Sequence, residues 1–332
     1  MYDHYIAVDW AQRNMAIARM TRKSQKIKTI DVPSDIWELK LYLRHLKGTK
    51  IITVEESTSA QWLYTELKSE VDEIIVCDPR RNRLLSEGAK NDRIDAEKLV
   101  KLLRASLLKP VYHSGDQFLY FRTLVSGYVD TVQAGVRLKN QRSALFRARG
   151  KCKRETALEG EAESFVLEGI DERIAAYEEE KNRYEREFTR LSKQHVVLKN
   201  LRSLPGIDKI NSMKIAARVV DPRRFPGRNH FLSYCGLIRY DCISGGKSYG
   251  KRKTNYSRSL KNIFDTAVVS CIQDGANNHL RDLYVYLTEE KRYPDDMARR
   301  AVTRRIATLA LGVMKSGKRF NPKRYNNVML TD

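Results

Sequence analysis

The stretch KNDRIDAEKL, residues 90–99, decides how the first third of this chain folds and what chemistry it can carry. Asp92 and Asp95 stand three residues apart at a helix start, so their carboxylates lie on one face, a turn apart. Two carboxylates aimed into one space suit a hard divalent cation, which takes oxygen ligands. Lys90 and Arg93 flank them and suit a phosphate. The same residues also fit an ordinary helix first turn, where Asp caps backbone N–H groups and meets the positive end of the helix dipole. Acids elsewhere in the chain decide between the two.

Working outward, Tyr5 to Val8 is a short apolar run that ends in Asp9, as a buried central strand does. Met15 to Met20 and Lys26 to Val32 read as two further strands. Ser34 starts a helix with Ile36, Leu39, Leu43 and Leu46 on its inner stripe. Ile51 to Val54 is a strand ending in Glu55, and a helix follows through Trp62, Leu63 and Leu67. Ile74 to Cys77 is a fifth strand stopped by Pro79, and a helix from about Asn91 to Ser106 closes the unit. Strand, strand, strand, helix, strand, helix, strand, helix is the element order of the ribonuclease H-like α/β fold. In that fold, acids at the ends of the first and fourth strands converge with acids of the last helix. Those places hold Asp9, Glu55, and Asp92 with Asp95. Glu56 competes with Glu55; Glu55 is preferred because it directly ends the apolar run. Four converging acids would make a two-metal phosphodiester site.

The bulk properties agree with an anionic polymer as partner. The chain has 332 residues, with 62 Lys and Arg against 41 Asp and Glu, a formal charge of +21. Such an excess predicts attraction to nucleic acid. An anionic membrane is disfavoured, because no apolar run of about 18 residues and no signal-type start is present. Hydrophobic content of 42% excludes a disordered polycation. Cysteines 77, 152, 235, 242 and 271 form no CxxC pair, and no His pair has zinc spacing. Scattered, odd in number and without an export signal, they predict reduced thiols in a cytoplasmic protein.

Three regions are expected: 1–112, the α/β unit; 113–200, long helices; and 201–332, a mainly α unit. The first long helix, about 116–150, carries Phe118, Leu124, Val132, Leu138 and Leu145, with a basic second half that includes Arg142 and Arg147. In the second, Ile170, Ile174, Tyr177, Lys181, Tyr184, Phe188, Leu191, His195 and Leu198 alternate steps of four and three. That heptad spacing predicts either a coiled-coil assembly arm or an antiparallel hairpin closing on itself. LRSLPGIDKINSMKIAARV, residues 201–219, resembles a helix-hairpin-helix, with Asp208 where a second turn glycine is usual. Farther on, Ser244 precedes Gly245 and Gly246, followed by Lys247, Lys251, Arg252 and Lys253. Glycines let backbone approach a ligand, and a serine among cations can attack a phosphate, though a plain turn is the usual meaning of SGG. The tail is basic and helical, with Arg299, Arg300, Arg304 and Arg305 clustered.

Both halves together resemble the DEDD-type insertion-sequence transposases, the bridge-RNA-guided serine recombinases related to Piv-type DNA invertases. The N-terminal half carries VDWA with Asp9, VEEST with Glu55, and KNDRIDAEKL; the C-terminal half carries LPGI, AARV, RF at 224–225, YCGL and SGG. The family's usual Thr before the first helix acid is Asn91 here. The resemblance implies a RuvC-like domain binding Mg2+, with Mn2+ as an alternative, through Asp9, Glu55, Asp92 and Asp95. It implies Ser244 as nucleophile in a covalent 5′-phosphoserine intermediate, at a composite site completed by another subunit. It implies a homo-oligomer, a dimer to a tetramer built as a dimer of dimers. The partners implied are donor and target DNA and a noncoding bridge RNA, in a bacterial cytoplasm at the nucleoid. The nucleic-acid contacts expected are Lys90, Arg93, Arg142, Arg147, Lys247, Lys251, Arg252, Lys253 and Arg304. The competing readings are an invertase without RNA guide, a metal-dependent junction-resolving nuclease using water, and a non-catalytic scaffold.

Overall fold

The computed structural model describes residues 1–79, 91–113, 117–152, 157–252, 255–273 and 278–322. The chain divides into two compact units, Met1–Asp116 and Gln117–Asp332.

The first unit is a six-stranded mixed sheet: β1 His4–Trp10, β2 Asn14–Thr21, β3 Ser24–Pro33, β4 Lys50–Glu55, β5 Glu73–Cys77 and β6 Pro110–Val111, in spatial order β3-β2-β1-β4-β5-β6. β1, β2 and β3 form an antiparallel meander, β4 and β5 run parallel to β1, and the short β6 returns antiparallel. Alternation along the central strands divides their side chains between two cores. Ile6, Val8, Ile52 and Val54 face helices α1 (Ile36–His45) and α2 (Ala60–Leu67), packing on Leu39, Leu43, Leu63 and Leu67. Tyr5, Ala7 and Ile51 face the other way, onto Ala96, Leu99, Val100 and Leu103 of α3 (Asp92–Arg104). The face beneath α3 is built of small residues, Ala7, Ala16 and Ala18, which lets the helix lie close to the sheet. This mixed sheet with its helices fits the ribonuclease H-like expectation.

α3 is also tied to the edge strand β3. Arg93 reaches the Thr29 carbonyl at 3.2 Å, and the Thr29 hydroxyl donates to Glu97 at 2.8 Å. Arg104 donates to the Ser24 carbonyl at 2.7 Å.

In the second unit, α4 (Gln117–Arg147) and α5 (Glu161–Gln194) run antiparallel against each other. Tyr120 meets Glu187, Lys139 meets Glu178, and Arg142 meets Asp171, so partners rise in one helix as they fall in the other. The heptad residues Ile170, Phe188 and Leu191 are buried, and Tyr177 and Tyr184 lie over Gly135 and Gly127 of α4. The seam is therefore filled within the chain. It also stops short of the expected length. The backbone leaves the helix at His195 (φ −97°, ψ 121°), whose ring sits edge-on to Phe121 at 4.9 Å, and a separate helix α6, Val196–Leu201, follows.

One core joins the base of α4 and α5 to everything downstream. Phe121, Val125, Tyr128, Phe188 and Leu191 pack with residues of α7 (Lys209–Val219), α8 (Arg228–Tyr234), α9 (Arg258–Ile272), α10 (His279–Val285) and α11 (Asp295–Ser316). Between α8 and α9 stands the antiparallel hairpin β7 (Tyr240–Ser244) and β8 (Lys247–Arg252), an element the sequence reading left out. At the LPGI turn, Gly206 has φ +75° and a Cβ there would lie 2.4 Å from the Ala267 carbonyl oxygen, so the glycine serves close packing on α9. Asp208 is the N-cap of α7, accepting from the Asn211 N–H at 2.6 Å. Its carboxylate thus satisfies a backbone donor at the start of α7.

No helix among the described residues is long and apolar enough to cross a membrane. No disulfide joins the cysteines among the described residues, and burial raises the Cys77 and Cys271 thiols to about 11, which keeps them protonated.

Candidate active site

Strand parity places the acids. Asp9 follows Val8 by one residue and so points with Tyr5 and Ala7 toward α3. Glu55 follows Val54 and points to the same side as Ile51. Val8 and Val54 are register partners on adjacent parallel strands, so Asp9 and Glu55 stand side by side, about 4.8 Å apart by backbone spacing. β1 runs through Asp9 to Trp10, with Asp9 paired opposite Ala16. The carboxylate therefore lies above a small residue, inside the strand.

From above come Asp92 and Asp95, both in the first turn of α3. Asn91 sets that turn: its side-chain oxygen accepts from the Arg93 N–H at 3.0 Å, and its carbonyl accepts from the Asp95 N–H at 2.9 Å. Asn is among the best N-caps, so the departure from the family's usual Thr preserves the helix start.

The electrostatics register the convergence. Burial and then the charges of Asp92 and Asp95 raise the Asp9 carboxyl from 3.8 to about 6. Glu55 is also raised, by burial and then by Asp9 and Asp95. Asp92 and Asp95 thus bear on Asp9, and Asp9 and Asp95 on Glu55, and a cation beside them is Lys98, 3.8 Å from Asp95. Among the described residues no group of three or more His, Cys, Asp or Glu side chains is arranged to hold a metal ion. The donor set is nevertheless all oxygen and under-neutralised, with Asp9, Glu55 and Asp95 partly buried and Asp92 exposed, which is chemistry that a hard divalent cation satisfies.

Glu56 is occupied elsewhere. Its carboxylate pairs with His113 at 2.6 Å, and the other nitrogen of His113 lies 2.9 Å from the Gln61 side-chain oxygen. Nothing in the sequence marks His113, which lies 57 residues from Glu56 and outside any motif.

Ser244 ends β7 at the tip of the exposed hairpin. Gly245 and Gly246 have φ +54° and +77°, the paired positive values of a two-residue type I′ turn. Ser244 and Lys247 are direct cross-strand partners, as are Tyr240 and Arg252, so these side chains share one face of the ribbon. Lys251 belongs to the other face, 4.0 Å from Asp241. Two Gly residues between YDCIS and KSYGKR are themselves a hairpin signal. The strands escaped notice because nearly every side chain on them is exposed, which leaves no apolar alternation.

The other expected basic contacts are distributed differently. Arg93 is held by Thr29 and lies 3.5 Å from Asp31. Arg142 is paired with Asp171 at 2.7 Å and lies over the Phe146 ring. Arg147 is exposed and bonds within its own helix to the Ser143 carbonyl. Arg304 is half-buried, with its pKa lowered by burial and by Arg300. Lys90 and Lys253 lie outside the described residues.

A mixed sheet that fits the ribonuclease H-like fold, with acids of β1 and β4 on the side of α3 and in a chain of net charge +21, is the setting of an enzyme acting on nucleic acid. Two family models match: a DEDD transposase model of the IS110 type over residues 6–148, and the Transposase IS116/IS110/IS902 family over residues 198–285. Together they cover most of the chain, and it belongs to the IS110-type DEDD transposases, enzymes that cleave and rejoin DNA. No curated protein matches it.

Proposed function

We propose that this transposase cuts and rejoins insertion-sequence DNA through a covalent 5′-phosphoserine formed on Ser244, with Asp9, Glu55, Asp92 and Asp95 holding Mg2+. The reading is supported by strand parity, which turns Asp9 of β1 and Glu55 of β4 to the side of α3, whose first turn carries Asp92 and Asp95; both aspartates add to the burial that raises Asp9 to about 6. Divalent ions bound there would supply Lewis-acid stabilisation of phosphate oxygens. The Ser244 hydroxyl oxygen attacks phosphorus; the Oγ–P bond forms, the P–O3′ bond breaks, and the 3′-hydroxyl leaves with a proton. Lys247, on the same face of the hairpin, stabilises charge on the phosphate. A 3′-hydroxyl of the partner duplex then attacks the phosphoserine and releases the serine, so bond energy is conserved.

The exposed hairpin supports an assembled enzyme. A two-stranded ribbon is marginal in water by itself, and Ile243 and Tyr249 are exposed on this one. We infer that it is completed by DNA and by another subunit, whose acids serve the same phosphate as this Ser244, in a dimer or a dimer of dimers. The charge of +21 suits a nucleic-acid partner beyond the two duplexes, and we propose a noncoding bridge RNA that pairs with donor and target.

The test is adduct trapping with the full chain on nicked DNA carrying its own element end, with co-purifying nucleic acid sequenced to supply the substrate. Wild type gives a denaturation-resistant protein–DNA adduct; Ser244→Ala and Asp9→Asn do not. Cleaved product with a free 5′-phosphate from Ser244→Ala would instead identify a nuclease that uses water.

A further inference from the structure

The ends of α6 and α11 are laced together. The Asn200 side-chain NH2 donates to the Gly317 carbonyl at 2.7 Å. The Ser203 hydroxyl donates to the Asn200 carbonyl at 2.5 Å and accepts from the Phe320 N–H at 2.8 Å. Gly317 takes the left-handed conformation that turns the chain back, and Phe320 is buried, with its ring stacked on His279 at 4.9 Å. Arg319 is thereby set beside Lys199 and Arg202 around a concavity of about 280 Å3 that Ser203 also lines. Arg202 is steadied by a bond to the Ser192 hydroxyl at 3.2 Å.

Among the described residues, none of these three cations has a carboxylate partner. Arg190, Arg299 and Arg300 on neighbouring helices each have one. Cations at helix C-termini offset the dipole, but each terminus supplies only roughly half a negative charge. Two such ends leave three cations well in excess. The space falls below the roughly 300–1,000 Å3 of pockets that enclose a whole small molecule. It suits one group of an extended ligand. Two guanidinium forks and an ammonium converging on such a space match the oxygens of a phosphate.

We propose that the Lys199–Arg202–Arg319 concavity is a binding site for a backbone phosphodiester of nucleic acid, distinct from the strand-cleavage chemistry. The site carries no sequence information; it fixes register by holding one or two phosphates.

Binding of the full-length protein to two labelled probes, a DNA duplex and a single-stranded RNA, is measured by fluorescence anisotropy across a salt series. Each phosphate contact contributes about 0.9 to the log–log salt slope for B-DNA and about 0.7 for single strands. The Lys199→Gln/Arg202→Gln/Arg319→Gln protein is expected to lose about 1–2 from the slope on the probe that occupies the site, and less or nothing on the other. Arg319→Gln alone, beyond the last helix, loses about one contact and guards against a folding defect in the triple variant. A Lys23→Gln/Lys26→Gln/Lys28→Gln protein removes equal charge from exposed positions of the first unit and leaves the slope unchanged. An unaltered slope on both probes in the pocket variants overturns the proposal, as does an equal loss in the control.

Discussion

Asp9 shows how one residue carries two opposed demands. Burial and two neighbouring aspartates raise its carboxyl to about 6, above the 3.8 of an unfolded chain. The folded protein therefore binds that proton more tightly than the unfolded one. Protonation favours the fold, fully below about 3.8, and this contribution is lost as pH rises through about 6. Thermal unfolding in chelator should accordingly show the melting temperature falling across pH 4 to 6.5. Asp9→Asn should flatten that fall and melt a few degrees higher at neutral pH, while losing DNA cleavage. A variant that melts lower than wild type at neutral pH contradicts this. The Asp9, Asp92 and Asp95 positions were legible because each sits at the end of an apolar run or the start of a helix. The choice of Glu55 over Glu56 rested on the same sign, and strand parity gives it a geometric reason: Glu55 falls on the α3 side, and Glu56 is engaged with His113.

At the scale of elements, the α4–α5 hairpin depends on two close approaches. A Cβ at Gly135 would lie 2.3 Å from the Tyr177 ring, and one at Gly127 would lie 2.3 Å from the Tyr184 hydroxyl. Alanine gains up to about 1 kcal/mol over glycine in helix propensity. Overpacking typically costs about 1–3 kcal/mol, so packing wins. Gly135→Ala should destabilise the protein by about 1 kcal/mol in urea unfolding. In a Tyr177→Ala background the same change should become neutral or stabilising, a coupling read by a double-mutant cycle. Additive effects would mean that the helices do not meet there. The heptad of α5 was visible in the sequence, but heptads do not say which helix fills the seam. The glycines of α4 hold that answer, and a glycine inside a helical stretch declares itself only once its neighbour is known. The β7–β8 hairpin was hidden for the opposite reason. Its strands bury almost nothing, so only the Gly245–Gly246 turn marked it.

For the whole molecule, the sheet order and the family follow from the same feature. A meander of three strands followed by two parallel ones brings the ends of β1 and β4 together under the start of α3. The helices after it share one core, which the sequence could not show because its apolar positions come from eight helices spread over nearly 200 residues. The central claim is that acids from three separate stretches make one divalent-cation site. Mn2+ binding to the full chain, followed by electron paramagnetic resonance, tests it most directly. The account predicts saturable binding that weakens as pH falls below about 6 and is impaired by each of Asp9→Asn, Glu55→Gln, Asp92→Asn and Asp95→Asn, with Glu56→Gln retaining it. Binding that survives all four substitutions, or that is lost only with Glu56, would contradict it.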